Sequence, residues 1–338
     1  MRSCAEAALR RTGAVLALLL GTLALPGPAL AQVAQGATTL VVPTPPGGPI
    51  DRVARIVAQG LSSVLGEPVV VENKGGAAGK IGVQAALRAA RDGHTLIAVS
   101  PSIASVNPVV DKAAGYDPLK DFDPLGIVAF NDGVLAVRAD LPVTDMPVTD
   151  MPGLVAYAKA HPGALTYASF GVGTSLHLQT EELLHTLGIT ARHVPYKGEA
   201  QAMNALIAGE VDMMAYVTSP IVPFVANGRA RALAATASTR WAALPAVPSF
   251  AETGIDALRN YTYRSWVGIV LPAGVPAAAR QRATAALREV LARPETLKAL
   301  EAQGFAPVTP DAETMRRTVA AELERNRRLI AAGGISLE

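Results

Sequence analysis

Three short segments place small residues directly before a helix start. They are Pro45-Pro46-Gly47-Gly48-Pro49, Lys74-Gly75-Gly76-Ala77-Ala78-Gly79 and Ser169-Phe170-Gly171-Val172-Gly173-Thr174-Ser175. Glycine lets the backbone come close to a ligand, and the first N–H groups of a helix lack intrahelical partners and carry partial positive charge. Such segments attract anions without help from Lys or Arg. One of them alone would read as an ordinary strand-to-helix turn; several together favour an anion site. Lys197, within Val194-Pro195-Tyr196-Lys197-Gly198, is either a neutralising cation for an anionic solute or a solvated loop lysine. Asp51 would complement the helix dipole, fix the 45–49 loop, or accept a hydrogen bond from ligand-bound water. His177, in a first helical turn, is placed to reach a ligand held by 171–175.

Familiar catalytic and cofactor motifs fail residue by residue. Residues 74–81 approach a phosphate-binding loop, but Lys74 stands where the first Gly belongs and Ile81 replaces Ser or Thr. Gly171-Val172-Gly173 is followed by Leu at 176 where a dinucleotide fingerprint has Gly. No G-x-S-x-G occurs. His177, Glu181 and His185 share one helical stripe, which reads as a polar face because spacing alone does not make a metal site. A secreted hydrolase using Ser169 or Ser175 with His177 is the enzymatic alternative, and it lacks an acidic orienting partner. No catalytic residue, cofactor or metal is expected.

The elements that must carry these segments alternate between strand and helix. Short apolar runs at 38–43, 68–71, 95–99, 125–130, 134–137, 165–168, 193–194, 211–216 and 231–235 read as strands. Helical spacing marks 50–65, 80–90, 154–160, 176–187, 200–208, 277–291, 295–303 and 312–330. Pro49 suits a first helical position. The alternation argues α/β with mostly parallel sheets. Pro142 to Met146 is repeated at once as Pro147 to Met151, which fits an exposed loop.

The chain has 338 residues, half of them apolar and 17% charged, which excludes a mostly disordered protein and suggests two domains. Lys and Arg number 30 against 28 Asp and Glu, so no basic face for nucleic acid is implied. Arg2, Arg10 and Arg11, the apolar run from Ala14 to Leu25, and Ala29-Leu30-Ala31 form a secretory signal peptide over 1–31. Its removal takes away Cys4, the sole cysteine, and leaves equal numbers of basic and acidic side chains. Disulfides and thiolate chemistry are thereby excluded. No later stretch is apolar for long enough to span a bilayer, so a soluble exported protein is expected.

An ordered series of segments resembles the Bug family of periplasmic solute-binding proteins of tripartite tricarboxylate transport systems. The series runs Pro46-Gly47-Gly48-Pro49-Ile50-Asp51, Val70-Val71-Glu72-Asn73 with Gly75 to Gly82, Asp92 to Leu96, Asn107-Pro108 and Asp121-Phe122. It continues with Ser169 to Leu178, His193 to Gly198, Gly209 to Asp212, Leu244 to Pro248, Trp266-x-Gly268 and Pro272 to Pro276. The resemblance implies a type II periplasmic-binding-protein fold: two α/β lobes joined by two crossing strands near 133–139 and 262–270. Domain 1 would be 32–138 with 263–338, and domain 2 would be 139–262. It also implies a small carboxylate held by loop amides, hydroxyls and waters, with no arginine clamp. Thr44, Pro46, Gly47, Gly48, Asp51 and Ser102 would serve from domain 1. Ser169, Gly171, Gly173, Thr174, Ser175, His177 and Lys197 would serve from domain 2. Membrane permease subunits, or alternatively a sensor domain, are the implied partners of a periplasmic monomer. Thr44, Phe170, Asp132 and Gly133 depart from the family's pattern.

Overall fold

A computed structural model describes residues 36–111, 113–141 and 148–331. The signal-peptide reading over 1–31, the whole first copy of the tandem repeat and Pro147 of the second lie outside the described residues. From Gly36 onward the chain forms one compact unit. No helix among the described residues is long and apolar enough to cross a membrane.

Two sheets organise the unit. The six-stranded sheet contains β1 (Thr38–Val42), β2 (Val69–Asn73), β3 (Thr95–Val99), β4 (Phe122–Asn131), β10 (Ser265–Pro272) and β11 (Phe305–Pro307), in the order β11-β4-β10-β3-β1-β2. The five-stranded sheet contains β5 (Val134–Arg138), β6 (Thr166–Ser169), β7 (Arg192–Pro195), β8 (Met213–Val217) and β9 (Ala230–Ala235), in the order β7-β6-β8-β5-β9. Helices follow the strands: α1 (Pro49–Leu65), α2 (Lys80–Leu87), α3 (Asn107–Val110), α4 (Pro118–Asp121), α5 (Met151–Ala160), α6 (Ser175–Leu187), α7 (Glu199–Ala208), α8 (Val222–Ala226), α9 (Ala277–Val290), α10 (Pro294–Ala302) and α11 (Ala312–Ala331).

The near-continuous apolar runs of the central strands are explained by burial on both faces, while the edge strands β2 and β7 are only partly covered. On the first sheet, Leu40 and Val42 pack with Val53, Val57 and Leu61 of α1 and with Leu287 and Val290 of α9. Val41, alternating with them, points to the other face with Ile97, Trp266 and Met315. In the second sheet Leu135 and Val137 face Leu154, Leu183 and Leu184, while Val134 and Ala136 face Leu206 and Ile221.

The sheets are mixed and not mostly parallel. β2-β1-β3 and β7-β6-β8 run parallel, as strand–helix–strand units require. β4, β10 and β11 in one sheet, and β5 and β9 in the other, add antiparallel pairs. The strands that enter from the opposite sheet arrive in the reverse direction. Only Asp132 and Gly133 separate β4 from β5, so the first passage between sheets falls there. β5, placed in the first domain by a boundary at 138, therefore hydrogen-bonds with β8 and β9 of the second sheet. Gly133 is needed at the passage: a Cβ there would stand 2.6 Å from the Tyr216 ring and 2.8 Å from the Val217 carbonyl. The second passage runs through Tyr263, whose N–H donates to Thr236 at 2.8 Å, into β10.

Candidate functional site

Because β1, β2 and β3 are parallel, the segments that leave their C-terminal ends collect on one edge of the first sheet. The segment after β2 lies on the one after β1, with Gly75 against Pro45. Asn107 Nδ2 donates to the Ala78 carbonyl at 2.6 Å, tying the segment after β2 to the one after β3. The segment after β6 opens α6 on the corresponding edge of the second sheet. C-terminal strand edges are where ligands of open α/β sheets bind.

The two edges meet. Ser102, after β3, and Ser175, at the start of α6, bring their hydroxyls to 2.9 Å. The Ser175 N–H also donates to Ser102 Oγ at 3.1 Å. Tyr263, from the second passage, donates its hydroxyl to Ser175 Oγ at 3.3 Å. Gly173 approaches Val110 so closely that a Cβ would stand 3.1 Å from the valine methyl, and its φ of +71° is itself a glycine conformation. Three hydroxyls from three separated parts of the chain thus share one point beside two glycine loops.

In the first loop Asp51 acts as a brace. Its Oδ2 accepts from the Gly47 N–H at 2.8 Å and from Arg55 Nε at 3.0 Å, and its Oδ1 accepts from Asn73 Nδ2 at 2.9 Å. Burial alone would raise this carboxyl, but the bonds from Arg55, Gly47 and Asn73 overcome it and hold Asp51 below the usual carboxylate range. Of the roles open to Asp51, fixing the loop is therefore the one its contacts describe. Gly48 caps α1 in extended conformation without a side-chain cap. The N–H groups of Gly48 and Ile50 have no acceptor among the described residues. Thr44 Oγ1 is buried without a hydrogen-bond partner, while Pro46 and Gly47 are exposed.

In the second loop several expected ligand groups are turned to internal bonds. Ser169 is fully buried, stands 2.6 Å from His193 Nε2, and accepts the Gly171 N–H at 3.1 Å. His177 is 2% exposed, and its Nδ1 accepts from the Gly173 N–H at 3.1 Å. It faces the back of the loop, against His193, and not the meeting point of the edges. Thr174 donates its hydroxyl to the Gly171 carbonyl at 2.8 Å and caps α6 by accepting the His177 N–H at 3.4 Å. The N–H groups of Val172 and Leu176 have no acceptor among the described residues. Lys197 is exposed, and no ion pair of its ammonium occurs among the described residues. Neither Ser169 nor Ser175 bonds to His177, so the hydrolase pairing does not form.

Sequence reasoning missed the aromatic side of the site. Tyr216 and Tyr263 meet edge to face at 4.9 Å between centroids, and with Leu176 they form a small core on which Phe170 packs. The Tyr216 hydroxyl donates to the Asn131 carbonyl, while Asn131 Oδ1 is buried without a partner. Burial pushes the Tyr263 hydroxyl up to about 12, so it stays a proton donor. Tyr263 is far from Ser175 in sequence, and no local spacing reports their contact. Asp132 pairs with Arg264 at 2.6 Å, and that guanidinium stacks on Phe130 at 4.6 Å.

Residues 53–335 match the model of the tripartite tricarboxylate transporter family receptor. The chain belongs to this receptor family. The receptor is 35% identical over 297 residues to the UPF0065 protein of the tcbD-tcbE intergenic region of Pseudomonas sp., covering 86% of this chain and 84% of that one. It is similar to a Rhodopseudomonas palustris structure solved with adipate: 31% identity, TM-score 0.79, 90% of this receptor and 99% of that chain. It is also similar to MatC from Rhodopseudomonas palustris with bound malate: 28% identity, TM-score 0.75, 88% and 99% covered. It is similar as well to the structure of the periplasmic binding protein BugD, with 31% identity, TM-score 0.76 and 89% and 98% covered, so the two-sheet architecture is the periplasmic-binding-protein fold.

Proposed function

We propose that this receptor captures a small carboxylate between the C-terminal edges of its two sheets and delivers it, outside the cytoplasm, to membrane subunits of a transporter. The six-stranded sheet and the five-stranded sheet are the two lobes, with passages at Asp132-Gly133 and at Tyr263-Arg264. Strand β5 goes with the second lobe. The solute's carboxylate accepts from the open N–H groups at the starts of α1 and α6 and from the hydroxyls of Ser102, Ser175 and Tyr263. Charge-assisted bonds of this kind are among the stronger hydrogen bonds. Ordered water bridges the rest at little cost.

The observation that carries this reading is the direct approach of Ser102 and Ser175, two hydroxyls from opposite sheets, beside two uncapped or glycine-rich helix starts. The bound adipate and malate of the related structures agree with it in chemistry. A binding role suits the burial of Ser169, which stands beside His193 and is closed to solvent. The test is a thermal-shift and calorimetry panel of mono-, di- and tricarboxylates on the folded receptor. At least one should raise the melting temperature in a dose-dependent way. A folded, ligand-free receptor that responds to none would contradict the proposal.

A further inference from the structure

The second loop is held from behind by a stack of rings that carboxylate capture does not itself use. The His177 ring lies face to face on His193, 4.0 Å between centroids and 12° between planes. Tyr167 continues the stack at 4.9 Å and 18° from His193. From this stack His177 Nδ1 takes the Gly173 N–H, and His193 Nε2 meets Ser169 Oγ, which takes the Gly171 N–H. The two imidazoles therefore hold both glycines of the loop, one directly and one through a serine.

An Nδ1 that accepts an N–H carries no proton, which puts the ring proton of neutral His177 on Nε2. A proton added to Nδ1 would oppose donor to donor and would place a cation on a neighbouring imidazole. The groups facing the pair offer no compensation. From β6 comes Tyr167, whose hydroxyl donates to Glu181. From α6 comes Glu181 itself, one turn beyond His177, with burial raising its carboxyl above the usual range. From β7 come His193 and, at the exposed edge, Arg192. No carboxylate bonds to either imidazole among the described residues.

We propose that His177 and His193 are positioning residues: a neutral stacked pair holds the 171–175 amides in the shape that receives the solute, and a proton on His177 frees the loop. The consequence for solute, release in acid, rests on the carboxylate-binding reading; the loop's dependence on the pair stands without it. Burial, with His193 adding to it, moves His177 from 6.5 to about 4, and burial lowers His193 as well, so the pair is neutral at physiological pH.

Hydrogen–deuterium exchange of the full chain without solute tests this, read on the peptide spanning 170–176 and corrected for intrinsic pH dependence. His177→Asn keeps an acceptor near the Nδ1 position but does not titrate; His177→Phe keeps the ring and removes the acceptor. Wild-type loop exchange should rise at least about tenfold between about pH 7 and about pH 4.5. The Asn variant should stay flat, and the Phe variant should exchange fast at both. A wild-type loop whose protection does not change, or an Asn variant that follows wild type, overturns the proposal. If His177→Phe fails to fold, the wild-type and Asn comparison still decides. In a second arm, adipate binding should weaken in acid more for wild type than for His177→Asn, and equal weakening overturns the release step. Adipate that binds neither protein at either pH counts against the carboxylate reading for that probe and leaves the exchange result to decide the role of the pair.

Discussion

Gly48→Asp separates the anion site from the fold more sharply than any other single change. Gly48 is the residue before α1, with φ −74° and ψ 171°, a conformation open to any residue. The nearest atom to a Cβ there is the Pro45 carbonyl oxygen at 3.9 Å, so the side chain has room. An Asp at this position is a favourable helix cap, worth a few tenths of a kcal/mol over glycine, and it stiffens the unfolded chain by about 0.5 kcal/mol. Repulsion from Asp51 offsets part of this gain. The melting temperature should therefore stay within about 2 °C of wild type. Binding should behave oppositely. The new carboxylate would sit on the N–H groups that the solute needs, at a separation of about 4 Å. At an effective dielectric of about 20 that repulsion is about 4 kcal/mol, roughly a thousandfold in Kd. Calorimetry with the carboxylate found by panel screening, beside a thermal melt, reads both quantities. Unchanged affinity would remove the α1 terminus from the site. Affinity lost together with a large fall in melting temperature would refute the separation of site from fold.

Tyr263→Phe keeps the edge-on packing against Tyr216 and removes one hydroxyl from Ser175. Affinity should fall about five- to tenfold with little change in melting, as suits one hydrogen bond of about 1 kcal/mol. Gly133→Ala forces a methyl against the Tyr216 ring and the Val217 carbonyl, and should cost about 2–3 kcal/mol in denaturant unfolding; a neutral result would mean the passage is looser than its geometry. His177, lowered from 6.5 to about 4, contributes stability that is complete above pH 6.5 and is lost as pH falls through that window, up to about 3 kcal/mol in urea melts. His177→Asn should lack that loss.

Much of the fold was readable because of where its strands lie. β1 and β3 are covered on both faces, so their apolar runs match the observed spans Thr38–Val42 and Thr95–Val99 closely. α1 was readable from Pro49 and from apolar residues at three- and four-residue steps. The three-residue β11 is too short for periodicity to register, and Ser102–Val106 forms a widened turn inside an apolar stretch, a deviation that pattern does not report. Strand direction was misread beyond the strand–helix–strand units, since nothing local records which strands enter from the opposite sheet. At the candidate site, glycines before helix starts marked both loops that the structure brings to the meeting strand edges. Asp51 showed its three possible roles but not their ranking, because Asn73 and Gly47 converge on it only in the fold. His177 was placed correctly in a first turn, but the side of the helix it takes depends on His193, which belongs to another strand.

A high-resolution crystal structure of the receptor with its stabilising carboxylate tests the central claim most directly. The carboxylate oxygens should lie within hydrogen-bond distance of the N–H groups at Gly48 and Ile50 or at Val172 and Leu176, and of the Ser102, Ser175 and Tyr263 hydroxyls, directly or through one water. A carboxylate gripped by an arginine or lysine, such as in the groove between α9 and α11 lined by Arg280, Arg288 and Arg316, would contradict it.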